Sequence, residues 1–326
     1  AFAQLAPALL PVPIAAAERA FGALCATPLG QQLPVHARCV VLATKTACSL
    51  VVRAPAAAVP LVAPGAPAGE FVRFLLAALT ALKDLRARGV QQLPLALCEP
   101  HRALAKAALK LQRRRGSELA GAAAAPFLQC FVGEIVASQQ QAVDDVVALY
   151  ELRFIKAVLE DAADSPKEQQ ELLPDATVGA LVCALAQRDM VETAEQLRDE
   201  LADPERAIAD ADSGSWKYLR RSCADALLCT YAERFGAVAT RPLLNLLAQA
   251  LAAPPTTLAV ALAKDAVYRA VSLCVFDVAD QLPLAPVLSR MSQEAWAATQ
   301  DAEAALEARS PAAEEKALVA VVLRRR

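Results

Sequence analysis

The two histidines of this sequence, His36 and His101, are the side chains best suited to bind a metal or to move protons near neutral pH. They lie far apart in the chain, and the acid nearest to either of them is Glu99. That arrangement does not match the spacing of a zinc site or of a histidine-based acid/base pair. We therefore expect both histidines to be solvated or to cap helices.

Phosphate chemistry and paired carboxylates are also poorly supported. Thr44-Lys45-Thr46 lacks the glycines of a phosphate-binding loop, so it is predicted to be helix surface. Asp144 and Asp145 are adjacent, and adjacent helical side chains point about 100° apart, so they cannot share a proton. We predict no catalytic residue, no metal and no cofactor, and the chain is not expected to be an enzyme.

Opposite charges nearly balance, with 33 Lys and Arg against 35 Asp and Glu and a net charge of −2. Without a global basic field to hold phosphates, nucleic-acid binding is not expected. The nine cysteines form no C-x-x-C pair and are odd in number, which favours free thiols in a reducing, intracellular compartment over a disulfide framework.

Membrane insertion is not expected either. Residues 1–17 carry no charge but lack a basic leading region, and Pro7, Pro11 and Pro13 interrupt them. The uncharged stretch 242–263 is broken by Pro254-Pro255, too early to cross a hydrocarbon core of about 30 Å. Because the chain begins at Ala1 and ends on three arginines within a helical pattern, we expect it to be a segment of a longer protein.

The elements that would position any site are predicted to be helices throughout. Alanine and leucine dominate a sequence that is 56% hydrophobic and has 11 glycines, and both residues lose little on entering a helix. Helices are predicted near 14–26, 33–52, 70–89, 100–120, 126–140, 142–161, 171–189, 190–202, 284–308 and 311–325. With three more within 213–282, they predict one all-α, HEAT-type solenoid segment over residues 1–326, with a loop at 53–69 and an acidic loop at 198–214.

The stretch 213–282 has the clearest pattern. In its first helix Cys223, Leu227 and Tyr231 recur at helical spacing, and Gly236 is predicted to end that helix. Thr240 and then Thr256 or Thr257 are predicted to cap the next two helices. The third helix has an apolar stripe of Val267, Val271, Cys274, Val278 and Leu282. Four residues are assigned to its polar surface: Lys264, Asp265, Arg269 and Asp280. Asp265 and Arg269 are spaced for an ion pair on that surface.

Two segments of this stretch resemble members of the importin-β (karyopherin) superfamily of nuclear transport receptors. They are Ser215-Trp216-Lys217-Tyr218 with the following Leu219-Arg220 and Cys223, and Lys264 to Val271, which reads KDAVYRAV. The acidic segment 200–214, which precedes Trp216, resembles the acidic segment that precedes the tryptophan in that family. The segment after Tyr218 departs from the family pattern, because Arg221-Ser222 stand where the family has a proline-containing step.

The resemblance implies a right-handed superhelix of HEAT-type hairpins and a non-enzymatic import function. Such a receptor binds a cargo protein in the cytoplasm, passes the pore by contacts with phenylalanine-glycine repeats, and releases cargo when the GTPase Ran binds with GTP. It shuttles between nucleus and cytoplasm. A HEAT-repeat scaffold or regulatory subunit of another complex is the alternative, and a helical enzyme is a more distant one.

Acidic residues cluster between Asp189 and Asp212, where nine acids stand against Arg198 and Arg206, a net of −7 by count (2 − 9). A solvated surface that keeps the chain soluble is one interpretation. The other is a site for basic cargo or for Ran, formed by Asp199, Glu200, Asp203, Glu205, Asp210, Asp212 and Trp216. Trp216 can equally be a hydrophobic staple at a helix start.

Arg113-Arg114-Arg115 is a run of three consecutive cations in the first half of the chain. Three cations before Gly116 are predicted to complement the negative end of a helix that stops there. The alternative is a patch for an acidic partner or a nuclear localisation signal.

Overall fold

The computed structural model describes residues 2–26, 33–61, 65–87, 95–119, 123–137, 144–162, 172–205, 217–278 and 281–325. Within these ranges the ordered elements are all helices, so the predicted all-α class is confirmed. The chain divides into two compact units, residues 1–172 and 173–326.

The first unit contains seven helices in its described part. They are α1 (Phe2–Leu9), α2 (Pro11–Ala26), α3 (Leu33–Arg53), α4 (Pro67–Ala87), α5 (Leu95–Leu119), α6 (Ala124–Ala137) and α7 (Asp145–Asp161). Consecutive helices pair, α2 with α3, α4 with α5 and α6 with α7. The pairs also contact one another in two rows, because α2 packs on α4 and α4 on α6, while α3 packs on α5 and α5 on α7.

The second unit is built from helices that pack around α12. Its helices are α8 (Asp175–Ala184), which continues as a π-helical turn (Leu185–Asp189), α9 (Ala194–Ala202), α10 (Arg220–Phe235), α11 (Ala237–Ala252), α12 (Leu258–Leu273), α13 (Val275–Val278), α14 (Leu284–Glu307) and α15 (Ala313–Arg324). Helices α10, α11 and α15 and the π-turn all pack on α12. One core joins α9, α12, α14 and α15 through Leu197, Leu262, Ala302 and Val322.

Most predicted helices are present, with ends that differ by a few residues. The predicted helix 190–202 begins at Ala194, because Thr193 and Gln196 form a capping box there, and it continues to Ala202. Residues 198–202 are therefore helical where a loop was predicted, and so are residues 204 and 205. The remainder of the predicted loop, residues 206–214, lies outside the described residues. At the other predicted loop, the described residues 54–61 and 65–66 are irregular between α3 and α4.

Gly116 does not end a helix as predicted. Helix α5 continues to Leu119 with a kink at Arg115, whose backbone leaves the helical region at φ −143°. A Cβ on Gly116 would lie 2.5 Å from Oδ2 of Asp161, an oxygen that accepts a hydrogen bond from Gln112 at 2.9 Å. Gly116 therefore leaves room for the hydrogen bond between the side chains of Gln112 and Asp161, which a larger residue would displace.

In the stretch 213–282 the start of one helix was predicted wrongly. Gly236, at φ +49°, ends α10 as expected, but it also immediately precedes α11, which begins at Ala237. Thr240 is therefore buried inside α11 and does not cap it. Thr257 caps α12, accepting a hydrogen bond from the N–H of Val260.

Two N-terminal helical stretches have the length and hydropathy of a membrane span. They are Gln4–Ala26 and Pro34–Arg53, each with a mean hydropathy of 1.4 and with 28% and 39% of the window buried. Length and composition alone do not separate a span from the core helix of a soluble protein or from a signal sequence. The expectation of no membrane insertion therefore stays a prediction.

Candidate functional site

The densest charged cluster of the second unit surrounds Arg325, just after α15. Its guanidinium lies 2.6 Å from Glu192 and 2.6 Å from Asp265, and 3.5 Å from Glu200. Arg221 lies on the same three acids, at 3.4 Å from Glu192, 3.3 Å from Glu200 and 3.8 Å from Asp265. Two arginines thus form ion pairs with three carboxylates, and these five residues come from four separate segments of the chain.

Burial sets the electrostatics of this cluster. Burial alone would lower the pKa of Arg325, but the hydrogen bond and charge of Asp265, followed by those of Glu192, raise that pKa above its ordinary value. Burial lowers the pKa of Arg221, and Glu192 opposes the effect. For Glu200, burial and the neighbouring Glu192 raise the pKa. Of these three shifts, that of Arg325 favours the charged form, whereas those of Arg221 and Glu200 reflect burial, to which the neighbouring Glu192 adds for Glu200.

Three further ion pairs lie beside this cluster, at the π-turn and along α10. Asp189, at the end of the π-turn, accepts from Arg188 at 2.7 Å and from Arg220 at 2.8 Å. Asp225 of α10 accepts from Arg269 of α12 at 2.5 Å, across two packed helices. Asp189 and Glu192 are therefore buried members of an ionic network, although the sequence placed them on a solvated acidic surface.

The sequence pattern also predicted the wrong surroundings for two polar residues of α12. Lys264 and Asp265 are 3% and 2% exposed, where the sequence predicted a polar surface. Lys264 pairs with Glu294 of α14 at 2.8 Å and donates to the carbonyl of Ala253 at 2.6 Å. Arg269 donates to Asp225, and Asp265 accepts from Arg325, so both residues also bind partners from other elements. The predicted attraction between Asp265 and Arg269 remains, because the charge of Asp265 favours the charged guanidinium of Arg269.

The reason is geometric. Helical periodicity separates polar from apolar residues, but it cannot tell a solvated polar face from one that meets opposite charges on a neighbouring helix. The segment that carries the family resemblance, Lys264 to Val271, is therefore part of the buried framework of this unit. Asp280, assigned to the same surface, lies outside the described residues.

The residues predicted to bind partners lie in different surroundings. Asp199 is exposed on α9, and Asp203 and Glu205 are exposed just beyond its end. Glu200 is half-buried on the network with Arg221 and Arg325. Asp210, Asp212 and Trp216 lie outside the described residues. Within the described residues, the exposed part of the predicted site thus consists of Asp199, Asp203 and Glu205.

A different cluster, absent from the sequence predictions, lies in the core of the first unit. Nε2 of His101, on α5, is 3.8 Å from Oε2 of Glu134 on α6 and 3.9 Å from Oε1 of Glu151 on α7. All three side chains are almost completely buried. The ammonium of Lys83 approaches the backbone at Gly133, next to Glu134.

Two kinds of chemistry fit this cluster, metal binding and charge balance between its own side chains. One imidazole nitrogen and two carboxylate oxygens within 4.8 Å of one another are a donor set that zinc accepts in proteins. The same atoms also permit a protonated His101 to balance the two glutamates. The expectation of a solvated or capping His101 was wrong, because ligand spacing was sought along the chain, whereas these residues meet from three packed helices.

The cysteines do not add a reactive group to either cluster. All nine are free thiols, as predicted, and four of them are buried: Cys48, Cys130, Cys223 and Cys274. Burial raises the pKa of Cys48 to about 11, opposed in part by Lys110, and burial also raises the pKa of Cys130 to about 11. These thiols stay protonated near neutral pH and act as core residues.

The fold and these clusters define an all-helical protein whose most prominent buried charges hold helices together. Comparison of the chain with protein-family models, with curated proteins and with solved structures found no match.

Proposed function

We propose that this chain is a HEAT-type segment of a nuclear transport receptor of the importin-β superfamily, with motifs like those of importin eleven. The observation that supports it most is the packing of the first unit. Each helical pair contacts the next through both of its members, α2–α4–α6 on one side and α3–α5–α7 on the other. Stacked two-helix units of this kind are what a right-handed HEAT superhelix requires.

The proposed receptor binds a cargo protein in the cytoplasm, carries it past the phenylalanine-glycine repeats of the nuclear pore, and releases it when Ran binds with GTP. No catalytic step is part of this function. Its cargo surface would include the exposed acids at the end of α9, Asp199, Asp203 and Glu205. The motif residues Lys264, Asp265 and Arg269 would hold α12 to its neighbours through ion pairs.

Binding of Ran tests the proposal. The full-length protein, immobilised, should retain Ran loaded with GTP and release it when Ran carries GDP. Equal binding of both forms, or of neither, would favour the alternative, a HEAT-repeat scaffold or regulatory subunit of another complex. Detection of a stoichiometric cofactor in the purified protein would instead favour a helical enzyme.

A further inference from the structure

Helices α3, α5 and α7 border a cleft of about 370 Å³ in the first unit. Six cations line it: Arg53, Lys106, Lys110, Arg113, Arg114 and Arg153. Its described lining residues include no carboxylate. A second concavity of about 300 Å³ shares Ser49 and Arg53 with it and adds Lys45.

The cations are spaced by the geometry of the helices. On α5 Lys106, Lys110 and Arg114 follow one another at four-residue intervals, which places them on one face. Arg53 and Arg153 border the cleft from α3 and α7. The whole chain has a net charge of −2, so this positive field is local, and a concave wall of low dielectric constant concentrates it.

The cleft also has apolar and aromatic walls. Val52, Leu109 and Tyr150 line it, and the ammonium of Lys106 lies 5.7 Å from the centre of the Tyr150 ring. Arginine guanidinium groups bind carboxylates through two parallel hydrogen bonds, and the apolar walls suit the carbon atoms of a peptide.

We propose that this cleft binds an acidic peptide segment of a partner protein. A short Asp- and Glu-rich segment places its carboxylates among the six cations and leaves the rest of the surface uncontacted. A long nucleic acid is less well matched, because it would continue beyond the cleft onto a chain whose charge is negative overall. The inference does not depend on the transport function, since any helical scaffold could use such a site.

A peptide-binding measurement tests the site. The probe is a fluorescein-labelled oligo-glutamate peptide, with oligo-glutamine and a single-stranded oligonucleotide as comparison probes, and binding to the full-length protein is followed by fluorescence anisotropy. The test variant is R53Q/K110Q/R114Q. The control variant, R19Q/R241Q/K316Q, removes the same charge from exposed positions outside the cleft.

We expect oligo-glutamate to bind the wild type and the control variant alike, and the test variant at least about tenfold more weakly, with the difference shrinking as salt is added. Circular dichroism should show the same helix content in all three proteins. Equal weakening in both variants, or no weakening in the test variant, overturns the site. Tighter binding of the oligonucleotide than of the peptide overturns the assignment of an acidic peptide.

Discussion

The ammonium of Lys264 lies 2.8 Å from a carboxylate oxygen of Glu294, with both side chains almost completely buried between α12 and α14. Tyr268 donates to the same carboxylate at 3.3 Å, and burial followed by the charge of Glu294 raises the pKa of that phenol. A buried pair of this kind is sensitive to the loss of one partner, because the remaining charge then stays in a medium that solvates it poorly.

Replacing Lys264 by methionine should therefore lower the free energy of unfolding, though by less than the about 3–5 kcal/mol of a fully unpaired buried charge, because Arg290 still lies 3.2 Å from Glu294. Glu294→Gln should cost less, because a glutamine can still accept from Tyr268. The double variant K264M/E294Q should recover much of the loss, since it removes both charges. Urea denaturation of the four proteins gives the coupling energy, and additive single effects would show that the two residues do not form a pair in solution.

Asp144 should stabilise the first unit in a pH-dependent way. It caps α7 by accepting from the N–H groups of Val146 and Val147, and it binds Arg102 of α5 at 2.5–3.0 Å. Burial alone would raise the pKa of Asp144, but Arg102 and these N–H groups hold it below its ordinary value. Asp144→Ala should cost about 0.5–2 kcal/mol near neutral pH.

The sign of the pH effect follows from that lowered pKa. The stabilisation is complete above the ordinary carboxyl pKa of about 4 and is lost as pH falls through the lower folded value. Unfolding of the wild type and of D144A should therefore converge in acid. Arg102→Ala, which keeps the cap, should show a smaller effect, and a difference between wild type and D144A that grows in acid would contradict the assignment.

Leu227 and Val271 should behave as core residues. They are 0% and 5% exposed, and their burial agrees with the apolar stripes predicted for α10 and α12. An aspartate at either position would place an unpaired carboxylate in the core, at a cost of several kcal/mol. Thermal unfolding should show a large drop in the midpoint for L227D and V271D but little change for the control L288D, which lies on an exposed face of α14.

His101 should matter for stability because it is completely buried beside two carboxylates. Replacing it by alanine leaves Glu134 and Glu151 buried without the imidazole and opens a small cavity, so we expect a loss of about 3–5 kcal/mol. The control is His36→Ala, on the half-buried part of α3, which should change little. If a metal chelator lowers the unfolding midpoint of the wild type, a bound cation and not the imidazolium balances the glutamates.

The exposed acids at the end of α9, Asp199, Asp203 and Glu205, should affect cargo binding and not folding. The variant D199N/D203N/E205Q leaves Glu200 on Arg221 and Arg325, so the network stays intact. Binding of a basic cargo peptide should weaken at low salt and differ less near physiological ionic strength, where charges are screened over about 8 Å. The matched control D301N/E303Q/E307Q alters exposed acids of α14. If all three proteins bind the peptide equally at low salt, these acids are not a cargo site and act only as a surface that keeps the protein soluble.

Local sequence determined the helices of this protein. Alanine- and leucine-rich runs, Gly236 and Thr257 specified α10 to α12 to within a few residues, because propensity and capping depend on neighbours in the chain. The apolar stripes through Leu227 and Val271 were equally readable. The sequence also contained an indication of the basic cleft, since the spacing of Lys106, Lys110 and Arg114 places them on one face of α5.

Only the tertiary structure decided which charges are buried and what they meet. Arg325 joins Glu192 and Asp265, and His101 joins Glu134 and Glu151, from segments that no spacing in the sequence connects. A polar residue on a helix is solvated or buried according to what the neighbouring helix presents to it. That choice depends on helix packing, which the period of a single helix does not contain.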